Sequence, residues 1–171
     1  RRYARAMTTD GHTVEVLANI TSARQAAAAV EAGAEGVGLM RTEFLFLERD
    51  RAPSEDEQFE VYKATLEALD GRPLVIRSLD IGGDKQVAYL DLPKEENPFL
   101  GVRGARLLLA RPELLHSQLR ALYRAAACGP LSIMFPMVTD LAEVIALRAA
   151  CETVRQALSA PTLPIGIMVE V

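Results

Sequence analysis

Two arginines end short apolar runs of this chain and could bind an anion together. Arg41 follows the run at residues 36–40, and Arg77 follows the run at residues 74–76. Both runs are typical of buried strands, whose carboxyl ends meet at one edge of a parallel sheet. A guanidinium keeps its charge and binds phosphate with two donors, so the pair predicts a site for a small, highly charged anion. The alternative, ion pairs of these arginines with Glu43 or Asp80, stays open.

A lone carboxylate, Glu170, follows the apolar run at residues 165–169. A carboxylate at the end of a buried strand is costly unless it finds a cation. Mg²⁺ takes oxygen ligands and keeps waters and substrate phosphate in its shell. Glu170 is therefore either a metal ligand or the ion-pair partner of an arginine on a nearby strand, and the sequence favours neither.

Two further segments add weaker signals. The turn at Gly82 and Gly83 resembles a phosphate loop only loosely, because neither GxGxxG nor GxxxxGK[ST] is present, and a plain tight turn explains it equally well. Arg103 and Arg106 lie three positions apart at the start of a predicted helix. They either add positive charge beside the site or belong to a solvated helix face.

Composition narrows the class of protein. The chain has 171 residues, of which 50% are hydrophobic and 25% charged, as suits one compact domain. Its net charge of -4 provides no basic field for nucleic acid or anionic lipid, so an anion must be bound by a local cluster. No apolar run approaches the ~20 residues of a membrane span, so membrane insertion is not expected. Cys128 and Cys151 form no CxxC pair, which favours a reducing cytoplasm.

Short apolar runs alternate with stretches of helical period, a pattern that predicts parallel strands joined by helical crossovers. Strands are predicted at residues 14–19, 37–40, 74–79, 131–135 and 165–169. Predicted helix starts are Ser22, Ser54 with Glu57 as a capping box, Pro112 and Asp140. An open doubly wound sheet and a closed (β/α)8 barrel both fit this α/β series, and periodicity does not separate them.

Five segments carry a resemblance to a known family. They read GVGLMRTEFL (36–45), DIGGDK (80–85), KEENPFLG (94–101), IMFPM (133–137) and GIMVE (166–170). In this order they resemble the barrel that binds phosphoenolpyruvate (PEP) in enzyme I, the PEP-protein phosphotransferase of the bacterial sugar phosphotransferase system. Pyruvate phosphate dikinase and PEP synthase share related motifs and are the alternative. The IGGDK and KEENPFLG segments are more similar to enzyme I.

The resemblance implies a (β/α)8 TIM barrel, of which residues 1–171 would form the N-terminal part with about five βα units. It implies that the arginines matching Arg41 and Arg77 bind the PEP phosphate and that the glutamate matching Glu170 binds Mg²⁺. The supporting residues near the barrel mouth would be Arg103, Asn19 and Asp80.

The activity implied by the resemblance is phosphoryl transfer from PEP to a histidine on a separate domain, and then to the carrier protein HPr for sugar uptake. The phosphohistidine domain and the rest of the barrel are expected to lie outside this chain. No catalytic residue is therefore expected within it, and the chain alone is expected to be inactive. Its open sheet edges predict a homodimer or another self-association. The competing hypothesis is a noncatalytic module for PEP binding or dimerisation.

Overall fold

The computed structural model describes residues 3–82, 87–92 and 96–171. Its first element is a small antiparallel hairpin, β1 (Ala6–Met7) with β2 (Thr13–Val14). The main sheet has five strands: β3 (Leu17–Ile20), β4 (Gly36–Arg41), β5 (Leu74–Arg77), β6 (Leu131–Phe135) and β7 (Ile165–Ile167). The helices are α1 (Arg24–Glu31), α2 (Glu55–Leu69), α3 (Gly104–Ala110), α4 (Pro112–Ala125) and α5 (Leu141–Ala157).

All five strands of the main sheet are parallel, and each pairs with the next strand along the chain. Because right-handed crossovers that always advance in one direction place their helices on one face, the helices form a single layer. They pack in the row α1, α2, α4, α5. A doubly wound sheet would reverse its strand order, and the described strands contain no such reversal. The α/β class is confirmed.

The core lies between the sheet and this helix layer. Along β5, Leu74 and Ile76 are buried against the helices, whereas Val75 and Arg77 on the opposite face are partly exposed. The helices α2, α4 and α5 contribute apolar side chains at helical spacing to the same core, at nine positions: Tyr62, Leu66, Leu69, Leu115, Leu119, Leu122, Leu147, Cys151 and Val154. The opposite face of the sheet is therefore available for a site.

Three of the four predicted helix starts are confirmed. Ser54 accepts a hydrogen bond from the Glu57 amide in a complete capping box, Pro112 is in the first turn of α4, and Asp140 accepts from the Glu143 amide. The Ser22 prediction is wrong, because α1 begins after Ala23 and has no side-chain cap.

The strand predictions hold in position and differ at the ends. The predicted strand at residues 14–19 is divided, since residue 14 pairs in the hairpin and the main-sheet strand starts at Leu17. The third and fifth strands end earlier than predicted, at Arg77 and Ile167. Ser78 and Met168, one residue further on, still donate a backbone hydrogen bond to β6, and the loops that carry the polar residues follow.

Candidate functional site

Arg41 and Arg77 lie side by side at the carboxyl edge of the sheet. They are the last residues of β4 and β5, and their Cα atoms are direct register partners. Register partners on parallel strands project to the same face, which here is the face away from the helices. Arg41 is exposed, and within the described part of the chain its side chain makes no hydrogen bond or ion pair. Its guanidinium donors are thus open to a ligand.

Arg77 has a different environment, because two carboxylates already contact it. Its Nη2 atom is 2.5 Å from Glu43 Oε1, and its Nη1 atom is 3.5 Å from Asp80 Oδ2. The Arg77 side chain is only 12% exposed. Glu43 reaches it from a short 3₁₀ turn, Glu43–Leu45, directly after β4. The ion pairs that the sequence left open as an alternative are therefore present, and they hold the guanidinium in one orientation.

Asp80 also binds Arg103, another of the predicted supporting residues. Arg103 Nε and Nη2 donate to the two Asp80 oxygens at 3.0 and 3.1 Å, the two-pronged geometry of a strong pair. Gly82 makes room for it, because a Cβ atom there would lie 3.0 Å from the Arg103 Cβ. The guanidinium also lies over the Phe99 ring, 5.2 Å from its centroid. The two predicted supporting residues thus form one bridge toward Arg77.

Arg106 is not part of this group of charges. Its guanidinium donates to the backbone carbonyls of Leu100 and Phe99 at 2.9 and 3.0 Å. It therefore fixes the loop before α3 instead of adding charge at the strand ends. Gly83, Lys94 and neighbouring residues of the DIGGDK and KEENPFLG motifs lie outside the described residues.

The strand-end cluster consists of Arg41, Glu43, Arg77, Asp80 and Arg103. Three positive and two negative side chains give it a net charge of +1. Arg77 Nε and Glu43 Oε2 are buried there without a hydrogen-bond partner among the described residues. Because buried polar atoms are normally satisfied, such atoms indicate where water or a ligand binds. The described contacts thus hold Arg77 and Arg103 in place and leave the Arg41 guanidinium open.

Glu170 lies three residues beyond β7 at the same edge. Its Oε1 atom accepts a hydrogen bond of 2.9 Å from the Met137 amide. Met168, two residues earlier, places its sulfur 3.9 Å from Arg77 Nη1, so this segment borders the strand-end cluster. Among the described residues Glu170 makes no ion pair with an arginine, and no group of three or more potential metal ligands occurs.

Asn19 lies on the same face of the sheet, one strand away from Arg41. Its Cα pairs with Leu39, two residues before Arg41, and its side chain is exposed.

Two residues that the sequence did not single out are buried beneath the cluster. Thr42 and Gln118 are 0% and 1% exposed and are hydrogen-bonded to each other. A polar residue in an apolar helix stripe was the only sequence signal for Gln118.

Comparison with known proteins identifies the class that this fold and site define. The chain belongs to the family of PEP-utilising enzymes and corresponds to their PEP-binding domain, whose family model matches residues 1–171. The resemblance found in the motifs is thereby confirmed.

Individual relatives are similar over nearly the whole chain. A multiphosphoryl transfer protein of Xanthomonas campestris is 66% identical over 97% of the chain and 20% of its own length. A phosphoenolpyruvate-protein phosphotransferase of Staphylococcus carnosus is 51% identical over 99% of the chain and 31% of its length. That of Haemophilus influenzae is 50% identical over 96% of the chain and 30% of its length. The chain thus spans less than a third of these relatives.

Proposed function

We propose that the strand-end cluster binds the phosphate of PEP, with Arg41 and Arg77 as the main donors. The observation that carries this proposal is their register pairing at the carboxyl edge of the sheet, with the Arg41 guanidinium open. Arg77 is held by Glu43 and Asp80, so little side-chain freedom is lost when it donates to a phosphate oxygen. Arg103 and Asn19 support the site, Arg103 through Asp80 and Asn19 from the neighbouring strand.

Charge balance supports a role for Mg²⁺ in the same site. PEP carries a phosphate and a carboxylate, whereas the strand-end cluster offers a net charge of only +1. Glu170 fits as a ligand because its second carboxylate oxygen is not engaged by the Met137 amide. Mg²⁺ is commonly held by one or two carboxylates together with waters and substrate phosphate. When bound, the metal would neutralise charge on the phosphoryl group.

The activity proposed for the whole protein is that of a PEP-protein phosphotransferase of the sugar phosphotransferase system. The phosphoryl group would pass from PEP to an enzyme histidine and then to HPr. Phosphoryl transfer depends chiefly on positioning and charge stabilisation, and fixed arginines supply both. The names of the relatives support this reading over a pyruvate phosphate dikinase or PEP synthase. Residues of this chain bind and orient the substrate, and none of them is assigned as nucleophile or proton donor.

The complete fold is proposed to be a (β/α)8 barrel with the cluster at its mouth. Sequential parallel strands with all helices on one face support this proposal, because one arc of such a barrel has the same arrangement. Ile165 and Ile167 on β7 are 36% and 40% exposed, and in a complete barrel a further helix would cover them. Leu141 and Ile145 on α5 are also exposed. These apolar surfaces support self-association, such as a homodimer, and light scattering that shows a monomer would contradict it.

The proposed setting is the cytoplasm. Cys128 and Cys151 are free thiols, in agreement with a reducing compartment. No described helix has the length and apolar character needed to cross a membrane.

Calorimetric titration of PEP in the presence of Mg²⁺ tests the site. We expect saturable binding that is lost in Arg41→Met. The matched control is Arg24→Met, which removes the same charge from an exposed position on α1. Binding that is equally weakened by both variants would show that net charge alone attracts PEP, and binding unaffected by Arg41→Met would place the phosphate elsewhere. Saturable PEP binding without HPr phosphorylation by the full-length protein would leave the noncatalytic module as the function.

A further inference from the structure

A chain of buried polar side chains lies directly beneath the strand ends that carry Arg41 and Arg77. Its central member is Gln118 on α4, which is 1% exposed, and its neighbours Thr42 and Tyr62 are fully buried. A polar amide in this position replaces apolar packing between helix and sheet. Such a residue is tolerated only when its hydrogen bonds are satisfied.

The Gln118 amide uses both of its ends. Its Oε1 atom accepts from the Leu79 amide at 3.0 Å. Its Nε2 atom donates to Thr42 Oγ1 and to the Tyr62 hydroxyl, each at 3.2 Å. The orientation is determined by chemistry, because the Leu79 N–H can only donate and must face the oxygen. Tyr62 in turn donates to Gln58 Oε1, which leaves its own oxygen free to accept from Gln118.

These bonds connect the two arginine-bearing segments. Thr42, the residue after Arg41, donates its hydroxyl to the Arg77 carbonyl at 3.0 Å. Gln118 binds that same hydroxyl and also the Leu79 amide, two residues after Arg77. The backbone from Arg77 to Leu79 is therefore held at both ends. One side chain from a helix fixes the end of β4 relative to the end of β5.

We propose that Gln118 is a positioning residue that sets the spacing of the Arg41 and Arg77 guanidinium groups. This inference rests on the proposed function, since the spacing is meaningful only if both groups bind one phosphate. Gln118 lies under the strand ends and contacts their backbone. Its effect on the anion is therefore exerted through Thr42 and Leu79. Preset geometry raises affinity because the cost of ordering donors is not incurred on binding.

The test compares Gln118→Met with Tyr62→Phe. Met has similar volume and removes all three hydrogen bonds of Gln118. Phe removes a hydroxyl of the same buried chain and leaves both strand-end contacts intact, so it is the matched control. We expect the PEP dissociation constant to rise about tenfold in Gln118→Met, from the loss of ordered donors, and to stay within about twofold in Tyr62→Phe.

A second readout is independent of PEP. The Arg41 and Arg77 Nε–H signals in ¹⁵N NMR spectra of the ligand-free protein should shift in Gln118→Met and stay in place in Tyr62→Phe, and neither guanidinium contacts Gln118 directly. Thr42→Val removes the hydroxyl that bonds both the Arg77 carbonyl and Gln118, and it should shift the same signals. This variant replaces Gln118→Met in the test if Gln118→Met does not fold. A core residue without a positioning role would lower stability and leave these signals unchanged.

The two readouts separate the possible failures. Shifted signals together with a wild-type protein that does not bind PEP would support the positioning role and overturn the proposed function. Unshifted Arg41 and Arg77 Nε–H signals would overturn the positioning role, whatever the affinity. Equal weakening of PEP binding by Gln118→Met and Tyr62→Phe would also overturn it.

Discussion

The ion pair between Glu43 and Arg77 makes the sharpest prediction about stability. The two side chains are 7% and 12% exposed, so neither can be hydrated fully if its partner is lost. Arg77→Met leaves Glu43 without a cation, whereas Asp80 keeps its two bonds to Arg103. Breaking a buried pair from one side costs about 3–5 kcal/mol. We expect about 3 kcal/mol because only one carboxylate is stranded, which lowers Tm by about 6–12 °C in a protein of this size.

A double-mutant cycle separates this pair from its surroundings. Glu43→Gln should cost less than Arg77→Met, because Asp80 still lies 3.5 Å from the Arg77 guanidinium. In the double variant Glu43→Gln, Arg77→Met no buried charge is stranded at this pair. Its destabilisation should therefore be smaller than the sum of the single effects by about 1–3 kcal/mol.

Urea unfolding followed by circular dichroism measures all four proteins, with the m-value compared to verify a common unfolded state. The control is the cycle Lys63→Met, Glu67→Gln on α2, where the side chains are 39% and 61% exposed and 4.0 Å apart, and a coupling of at most about 0.5 kcal/mol is expected. Additivity within about 0.5 kcal/mol for the Glu43–Arg77 cycle would refute the inference that the pair is held in a buried, low-dielectric setting.

Three further predictions follow from local contacts. Ser54→Ala should lower the free energy of unfolding by about 1 kcal/mol, because it removes the cap of α2. Ser22→Ala, before a helix with no side-chain cap, should leave it unchanged. Equal urea midpoints for the two variants would contradict the contribution of the Ser54 cap. Burial raises the pKa of the Cys151 thiol to about 11. Ellman's reagent at pH 8 should therefore label only Cys128 until guanidinium unfolds the protein. Rapid labelling of both cysteines in the folded protein would disprove this prediction. Hydrogen bonds led by that from Arg51 lower the pKa of Glu57 from 4.5 to about 2. The stability that ionised Glu57 contributes is therefore fully present above pH 4.5 and is lost as the pH falls toward 2. In this pH range the Tm of Glu57→Gln should depend less on pH than the Tm of the wild type. Parallel curves of Tm against pH for the two proteins would exclude the effect.

Much of the fold was readable from sequence because its signals are local. Short apolar runs marked every strand of the main sheet, and capping chemistry marked α2 and α5 through Ser54 and Asp140. Strand ends were harder to predict, since the ladder stops where the partner stops. The prediction of a cap at Ser22 failed for a related reason. A serine before a helix caps it only if its side chain reaches a free backbone amide, and that depends on the conformation of the preceding turn.

The sequence by itself determined which residues carry the charge at this site and that they come at the ends of strands. Arg41 and Arg77 follow apolar runs, and motif order was sufficient to identify the family. The chain could not reveal how those charges are already compensated. Only the tertiary structure decided that Arg77 is shared by Glu43 and Asp80 while Arg41 stays open, and that Gln118, far along the chain, joins the two strand ends. The physical reason is that ion pairs and buried hydrogen bonds depend on distances between segments that only packing brings together.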